Sequence, residues 1–202
     1  MIAIIDYDAG NIKSVEKAVK QYDADVVVTR DADILKKADK VILPGVGAFG
    51  DAMEKLRNYG LEDVIRDIVA KGTPFMGICL GLQLLFEESE ETPGVKGLGL
   101  LKGKILRIPD NNGELKIPQI GWNSLKFETP TPLFTGLNDG AYVYFVHSYY
   151  LKAEDENIVI ASTEYGTHIH AAVAKDNLYA CQFHPEKSSD VGLRILKNFV
   201  EL

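Results

Sequence analysis

The first half of this chain alternates short, continuous apolar runs with amphipathic segments, and this alternation limits the possible folds more than any other feature. The runs have the length of β-strands and cover residues 2–5, 26–28, 41–43 and 75–78. Runs without polar alternation are expected in strands that are covered on both faces, as in a parallel sheet between two layers of helices.

The segments between these runs have helical spacing of their apolar residues. One pattern follows Asn11, a plausible N-cap, and another ends near Gly72 and Pro74. The apolar positions are Ile12, Val15, Val19 and Tyr22 in the first pattern and Leu61, Val64, Ile65, Ile68 and Val69 in the second. Strand–helix alternation with short connections predicts a parallel sheet with helices on both faces.

The second half of the chain is richer in strands. Residues 104–108 and 115–120 flank Asn112-Gly113, a pair that favours a tight hairpin turn. Further strands are predicted at 142–146, 158–162, 170–174 and 179–183, followed by a helix capped by Ser188 or Ser189. The fold expected is an α/β fold in one domain over residues 1–202, with a mostly parallel central sheet, helices on both faces and an antiparallel, strand-rich second half.

Composition excludes several classes of function. The chain has 202 residues and a net charge of −7, and without a basic block it is a poor binder of nucleic acid. Its most apolar stretch, residues 74–86, is shorter than the roughly 18 residues that a membrane span needs. The first residues lack the basic region of a signal peptide. Two cysteines in unrelated contexts suit a reducing cytoplasm, so a cytoplasmic protein is expected.

The most informative motif surrounds Cys79. An apolar strand runs into Gly77-Ile78-Cys79-Leu80-Gly81 and a helical pattern follows, which is the cysteine counterpart of a nucleophile elbow. The flanking glycines permit a tight turn that exposes the thiol and directs helix N–H groups toward it, and these favour a thiolate. A single cysteine in an apolar run is more often buried packing, but glycines on both sides favour the nucleophile.

A thiolate nucleophile requires a base, and His184 is the strongest of four histidines. It lies in Gln182-Phe183-His184-Pro185-Glu186 after an apolar strand. In an extended segment residues 184 and 186 point the same way, so Glu186 is expected to accept the imidazole N–H. The same spacing also suits residues that merely terminate a strand, and the pattern does not separate the two interpretations. His147 is the rival base, without a carboxylate two residues later.

Two other motifs have simpler interpretations. His168-Ile169-His170 places two imidazoles on one strand face, but no third metal ligand accompanies them, so an exposed strand face is expected. Residues 45–50 match G-x-G-x-x-G, a pattern of dinucleotide sites. Pro44 interrupts the approach to the glycines and no strand-terminal acidic residue follows at the expected distance. The glycines suit either an oxyanion site or a close backbone approach to Cys79.

Taken together, the stretches PGVGAFG, GICLGLQLLFE and QFHPEKSS resemble those of class I, triad-type glutamine amidotransferases. Within that family, the motifs are similar to those of the glutaminase subunits of imidazole glycerol phosphate synthase. The features that indicate this are Ile5-Asp6-Tyr7 with Gly10-Asn11, PGVG, Leu82, Gly121-Trp122-Asn123, YFVHSYY and HPEKSS. The similarity extends over essentially the whole chain.

The resemblance implies a role for each matching residue. Cys79 would be the nucleophile, His184 the general base and acid, and Glu186 the orienting carboxylate. The backbone N–H groups of Val46 and Leu80 would form the oxyanion hole. Glutamine would be bound by Gly45, Gly47, Gln83, Glu91, His147, Ser148 and Tyr149. Asn11, Trp122 and Lys187 would lie near the interface with a (β/α)8-barrel cyclase subunit, which receives the ammonia in a heterodimer of histidine biosynthesis. No metal or cofactor is expected.

The glycine-rich segment also suggests a means of control. Glycines at 45 and 47 tolerate backbone conformations that other residues avoid. The amide of Val46 could therefore turn away from or toward Cys79, so that the oxyanion hole would stay unformed without the ligand of the partner.

Two other functions remain open from the sequence. The chain could be a glutaminase that serves another acceptor, such as pyridoxal phosphate or purine synthesis. It could also be a regulatory or nucleotide-binding module in which the triad is not used.

Overall fold

The computed structural model describes residues 1–22 and 25–202. The strands are β1 (Ile2–Ile5), β2 (Val26–Thr29), β3 (Lys40–Leu43), β4 (Phe75–Ile78), β5 (Glu88–Ser89), β6 (Gly103–Arg107), β7 (Gln119–Ser124), β8 (Lys126–Phe127), β9 (Tyr142–His147), β10 (Tyr149–Ala153), β11 (Val159–Glu164), β12 (His168–Lys175) and β13 (Leu178–Cys181). The helices are α1 (Ile12–Lys20), α2 (Ala32–Lys37), α3 (Phe49–Asn58), α4 (Leu61–Ala70), α5 (Leu80–Leu84) and α6 (Ser189–Val200).

The main sheet combines a parallel half with an antiparallel half. Within the described residues its strand order is β2-β1-β3-β4-β13-β12-β11-β8. The pairs from β2 to β13 are parallel, and the pairs from β13 to β8 are antiparallel. The predicted mixed α/β architecture is therefore confirmed, and the switch in direction falls at β13.

Helices cover both faces of this sheet, because successive strand residues point to opposite sides. In β1, Ala3 and Ile5 belong to a buried cluster with residues of α2, α3 and α4. Ile2 and Ile4 belong to a second buried cluster with residues of α1 and α6. No helix in the described part of the chain is long and apolar enough to cross a membrane.

The predicted hairpin at Asn112-Gly113 is wrong. A turn does form there, since Leu115 donates its N–H to the Asp110 carbonyl. The segments on either side, however, join different sheets: β6 pairs with β10 and β5, whereas β7 pairs with β9. The strand expected at 115–120 begins only at Gln119, because Pro118 has no N–H for a ladder bond.

The His168-Ile169-His170 motif is also buried more deeply than expected. His168 is exposed and interacts with Glu164. His170 is only 4% exposed, and its Nδ1 accepts the backbone N–H of Ala153. The prediction of an exposed strand face is therefore wrong for His170, which is covered by the neighbouring β10 strand that the sequence pattern did not indicate.

The parallel strands end at one edge of the main sheet, and the segments that follow them meet there. Asn11 follows β1, the 44–47 segment follows β3, Cys79 follows β4, and residues 182–184 follow β13. In open α/β sheets ligands bind outside the carboxyl ends of the strands. The topology therefore brings to one edge residues that are distant in the sequence.

The connection from β4 to α5 passes unusually close to its neighbours. A Cβ atom at Gly81 would overlap the carbonyl oxygen of Leu43 on the adjacent strand. A Cβ atom at Gly77 would lie 2.8 Å from the carbonyl oxygen of Gly81. Both positions therefore require glycine, as the sequence pattern predicted for a tight strand–helix turn.

We expect the substitution Gly81→Ala to lower the free energy of unfolding by about 3 kcal/mol or more, because the new methyl group meets backbone that cannot move aside. Gly94→Ala is the matched control. Gly94 has a positive φ of 88° but open space around its Cα. This substitution should therefore lower the free energy of unfolding by only about 1 kcal/mol. Urea denaturation measures both values, and equal losses would contradict the steric explanation.

Candidate active site

Cys79 lies in a strained conformation between β4 and α5. Its φ is 54° and its ψ is −110°, a combination that costs a non-glycine residue about 1–3 kcal/mol. Its backbone N–H donates to the Cys181 carbonyl at 2.8 Å, and its carbonyl accepts from the first turn of α5. These bonds hold the turn and direct the thiol into a cavity beside the sheet edge.

His184 and Glu186 form a buried pair beside Cys79. The His184 Nδ1 atom lies 2.8 Å from Glu186 Oε1, and the two side chains are 3% and 0% exposed. The expected contact is present, but its predicted cause is wrong: β13 ends at Cys181, and Glu186 lies in a 3-10 turn over Pro185–Lys187 rather than in a strand. The turn brings residue 186 back over residue 184.

The surroundings of His184 favour its charged form. Burial alone would lower the pKa of His184, but hydrogen bonds and negative charge from Cys79 and Glu186 raise it to about 10. A protonated imidazole next to the sulfur can stabilise a thiolate and can donate a proton to a leaving group. The arrangement therefore suits a nucleophile with an acid–base partner.

Asn11 contacts the same carboxylate. Its Nδ2 donates to Glu186 Oε1 at 2.5 Å. Asn11 does occupy the N-cap position of α1, but its side chain makes no cap hydrogen bond. The predicted N-cap position of Asn11 is therefore confirmed, but its side-chain amide reaches across to Glu186 instead of capping the helix.

His147, the rival base, is fully engaged by neighbours. Its Nδ1 lies 2.8 Å from the Tyr149 carbonyl oxygen, and its Nε2 lies 2.8 Å from the side chain of Gln119. Burial lowers the pKa of His147 to about 4. Both ring nitrogens are engaged by these neighbours rather than by Cys79, so His147 holds the 147–149 segment in place.

The Leu80 N–H expected in the oxyanion hole is occupied by a carbonyl group of the protein. Leu80 donates its backbone N–H to the Gly45 carbonyl at 3.3 Å. In a planar trans peptide the next N–H points opposite to this carbonyl, so the Val46 N–H is directed away from Leu80. The two donors are therefore not presented together in this conformation. Gly47, with a φ of 103°, follows directly.

A cavity of about 290 Å³ joins most of the predicted site residues. It contains Cys79 and His184 together with the expected substrate-binding residues other than Gly45. The lining residues are Val46, Gly47, Cys79, Leu80, Gln83, Glu91, Pro118, Val146, His147, Ser148, Tyr149, His184 and Lys187.

Two of the expected substrate-binding side chains are held by protein contacts. Gln83 is buried, and its Nε2 donates to the Tyr149 carbonyl at 3.2 Å and to Gln182 Oε1 at 2.9 Å. Glu91 accepts the Phe49 N–H at 2.8 Å, at the start of α3. Both line the cavity, so each combines a structural contact with exposure to the space where a ligand would lie.

Of the three residues predicted at a partner interface, Lys187 lines this cavity, whereas Asn11 and Trp122 lie outside its lining. Lys187 is exposed at its rim. Trp122 is 52% exposed on β7, the strand that begins beside the cavity residue Pro118. Two further apolar side chains are exposed on β7 and β9, Ile120 at 63% and Tyr142 at 58%. Exposed apolar side chains of this size mark a surface suited to protein contact.

Comparison with protein families identifies the class of protein. Residues 3–202 match the family model described as "Glutamine amidotransferase class-I". The chain belongs to the class I glutamine amidotransferase family. This assignment confirms the family resemblance of the sequence motifs, and glutamine amidotransferases are enzymes.

Two relatives have similar sequences over the whole length of this family member. It is 50% identical over 202 residues to the protein from Methanocaldococcus jannaschii named "Imidazole glycerol phosphate synthase subunit HisH", covering 100% of both chains. It is 48% identical to the protein of the same name from Bacillus subtilis, covering 100% of this chain and 96% of the relative.

Solved structures of the family share the fold. A structure described as "Crystal structure of glutamine amidotransferase" has a TM-score of 0.76 at 23% identity, over 99% of this chain and 97% of that chain. The "Structure of PurLQS from Thermotoga maritima" has a TM-score of 0.74 at 21% identity, over the same shares.

Sequence reasoning missed one polar side chain at the centre of this amidotransferase site. Gln182 is fully buried, and its Nε2 lies 3.7 Å from the Cys79 sulfur. Its place two residues before His184, at the end of an apolar strand, was the available signal. A polar residue buried at such a position is hydrogen-bonded within the protein.

The raised pKa of His184 predicts a pH-dependent contribution to stability. Because the folded-state pKa lies above the usual 6.5, the stabilisation is fully present below pH 6.5 and is lost as the pH rises toward about 10. We expect Glu186→Gln to remove part of it. The difference in unfolding free energy between the native chain and the variant should be about 2 kcal/mol at low pH and shrink as the pH rises.

Urea titrations at a series of pH values measure this difference. Glu164→Gln is the control, because it removes the carboxylate partner of the exposed residue His168 and should change stability little at any pH. A gap for Glu186→Gln that stays constant or widens toward pH 10 would argue against a charged His184.

Proposed function

We propose that this chain is the glutaminase subunit of an imidazole glycerol phosphate synthase. It hydrolyses L-glutamine at Cys79 and passes the ammonia to a cyclase subunit with a (β/α)8 barrel, as a heterodimer in the cytoplasm. The synthase would use that ammonia in histidine biosynthesis, in the reaction that yields imidazole glycerol phosphate and an aminoimidazole carboxamide ribotide. The catalytic residues are Cys79, His184 and Glu186.

One observation carries the catalytic part of this proposal. The sulfur of Cys79, on its strained turn, faces one cavity together with His184, whose Nδ1 lies 2.8 Å from a buried Glu186. A nucleophile, a base and a carboxylate that orients the base are the three groups that acyl transfer requires. The full-length similarity to the two relatives named above supports the choice of partner and pathway.

The first half of the reaction forms a thioester. The Cys79 thiolate attacks the side-chain carboxamide carbon of glutamine, and the C=O electron pair moves to the oxygen of a tetrahedral intermediate. When this intermediate collapses, the C–N bond breaks and the His184 imidazolium gives its proton to the leaving nitrogen, so that ammonia departs. The γ-glutamyl group then remains bound to sulfur.

The second half releases glutamate. Neutral His184 takes a proton from water as the water oxygen attacks the thioester carbon. The C–S bond breaks, the sulfur leaves as thiolate, and His184 is again protonated. Glu186 accepts the His184 Nδ1–H and holds the ring in this orientation, which leaves Nε2 facing the reacting groups.

The oxyanion of both intermediates would be stabilised by the N–H groups of Leu80 and Val46. In the conformation described here the Leu80 N–H donates to the Gly45 carbonyl instead. Rotation of the peptide between Gly45 and Val46 would remove this carbonyl and bring the Val46 N–H into its place. A partner that favours the rotated state would therefore switch on glutamine hydrolysis.

The cyclase would dock over the face that contains the cavity rim. Trp122 and the exposed apolar residues Ile120 and Tyr142 would provide an apolar surface for this contact. Lys187 lines the cavity, and Asn11, which contacts Glu186, would also lie near the partner. Docking on this face would enclose the cavity and give ammonia a route away from water. The phosphorylated substrate would bind to the partner, so this acidic chain requires no basic patch.

The direct test is a pair of syntheses with the heterodimer. With glutamine as the nitrogen source, we expect Cys79→Ala to reduce formation of imidazole glycerol phosphate by at least about 1,000-fold. With an ammonium salt as the source, the same variant should match the native complex, because the cyclase is intact. Product formation and glutamate release are both measured.

The alternative functions give different results. A glutaminase for another acceptor would release glutamate through Cys79 but would not support synthesis by the cyclase. A regulatory or nucleotide-binding module would release no glutamate, and a glutamine-like diazoketone would leave Cys79 unmodified in the complex. Either result would overturn the proposal.

The peptide rotation makes a prediction for Gly47. Its φ of 103° is strained for any other residue, whereas its surroundings are open. Gly47→Ala should therefore destabilise, by about 1 kcal/mol, the conformation in which the Gly45 carbonyl accepts the Leu80 N–H. The ratio of basal to ligand-stimulated glutaminase activity should then rise about five-fold. Glutamate release is measured with and without the nucleotide substrate of the cyclase.

The matched control is Gly94→Ala, another glycine of positive φ in open space, which should leave the ratio of the two activities unchanged. A stimulation factor in Gly47→Ala equal to that of the native complex would refute the role of this glycine.

A further inference from the structure

Gln182 is buried between the proposed catalytic cysteine and a chain of hydrogen bonds. It follows β13 directly, its side chain has no exposed surface, and its backbone N–H donates to the Ala171 carbonyl. Its Oε1 accepts from Gln83 Nε2 at 2.9 Å, and its Nε2 lies 3.7 Å from Cys79 Sγ. A fully buried side chain cannot contact a substrate in the cavity, so its function must be exerted through its neighbours.

The orientation of the Gln182 amide is fixed by the acceptor at the far end of this series of hydrogen bonds, the Tyr149 carbonyl. The Tyr149 carbonyl can only accept, so the Gln83 atom that faces it at 3.2 Å is the amide nitrogen. The same nitrogen faces Gln182, which therefore presents its oxygen to Gln83 and its N–H group to the sulfur. Rotating the Gln182 amide by half a turn would oppose two donors and place an oxygen against the sulfur.

The sulfur has two polar contacts that suit different protonation states. A thiol can donate to the Val146 carbonyl, 3.9 Å away. A thiolate is an acceptor and can use the N–H of Gln182. Burial raises the pKa values of Tyr7 and Cys181, which also face Cys79, so both stay uncharged near neutral pH. The charged group beside the sulfur is His184, which Glu186 supports.

We propose that Gln182 is a further catalytic residue, whose amide N–H donates to the Cys79 thiolate, and that Gln83 is the positioning residue that fixes this amide. The inference rests on the proposed function, since it assumes that Cys79 is the nucleophile. It gives Gln83 a role in activating the sulfur in addition to its expected contact with glutamine.

The test uses Gln182→Met in the complex with the cyclase, because methionine has a similar shape and no N–H donor. Alkylation of Cys79 by iodoacetamide is followed by peptide mass spectrometry from about pH 5 to about pH 9, a range over which cysteine reactivity follows the thiolate fraction. We expect the midpoint of the alkylation profile to rise by about one pH unit, as for the loss of one hydrogen bond to a charged group.

The kinetic expectation separates this role from substrate binding. The kcat of glutamate release should fall about ten-fold, while the KM for glutamine should stay within about two-fold. Gln182→Glu should have a larger effect on the midpoint, since it keeps the acceptor for Gln83 but places a carboxylate against the sulfur. Cys181 reports on folding: the native burial of this thiol predicts that it stays unmodified.

An unchanged alkylation midpoint in Gln182→Met with Cys181 still protected would overturn the inference, and so would a raised KM with an unchanged kcat. If Cys181 becomes reactive in Gln182→Met, the Gln83→Met variant provides the decisive test. It keeps Gln182 but removes the hydrogen bond that fixes the Gln182 amide, so the midpoint of Cys79 alkylation should again rise. A different result would contradict the proposed function: a native complex that releases no glutamate, whatever its alkylation profile.

Discussion

The strained backbone of Cys79 is the feature on which the rest of the site depends. A φ of 54° with a ψ of −110° persists only where the surrounding structure holds the chain on both sides. Here β4 pairs with β3 and β13, and α5 passes so close to β3 that only glycine fits at position 81. The sheet thus stabilises a conformation that places the sulfur at the edge where four strand ends meet.

The site described here is arranged for nucleophilic attack but not for stabilising the oxyanion. Cys79 and His184 line one cavity and the imidazole contacts the Glu186 carboxylate, whereas the Leu80 N–H is occupied by the Gly45 carbonyl. A glutaminase that works ahead of a second enzyme benefits from this combination, because glutamine would not be hydrolysed until the partner is ready. The rotation of one peptide would suffice for the change.

The sequence predicts the parts of the fold that depend on local pattern. Continuous apolar runs located β1, β2, β3 and β4 to within a residue. Strands covered on both faces, such as β1, β3 and β4, have few alternatives, and the same kind of run marks the half-buried edge strand β2. The Asn112-Gly113 hairpin failed, since a turn signal does not determine which strands pair after it. The contact between His184 and Glu186 was expected, but the 3-10 turn that makes it was not.

Two contacts between distant residues were not indicated by the sequence. Asn11 is separated from Glu186 by 175 positions and Gln182 from Cys79 by 103. Nothing in the local pattern of either residue indicates its partner, because the contact arises only when the sheet brings the strand ends together. The position of Gln182 at the end of an apolar strand indicated that its side chain is hydrogen-bonded within the protein, but it did not indicate the partner.

In the proposed reaction the strained cysteine carries the γ-glutamyl group. Rapid acid quenching of the cyclase complex after mixing with glutamine, followed by peptide mass spectrometry, tests it directly. We expect a γ-glutamyl adduct on the peptide that contains Cys79, which forms before glutamate appears and is lost in mild base. Glutamate released at the full rate from complexes in which Cys79 never carries this adduct would contradict it.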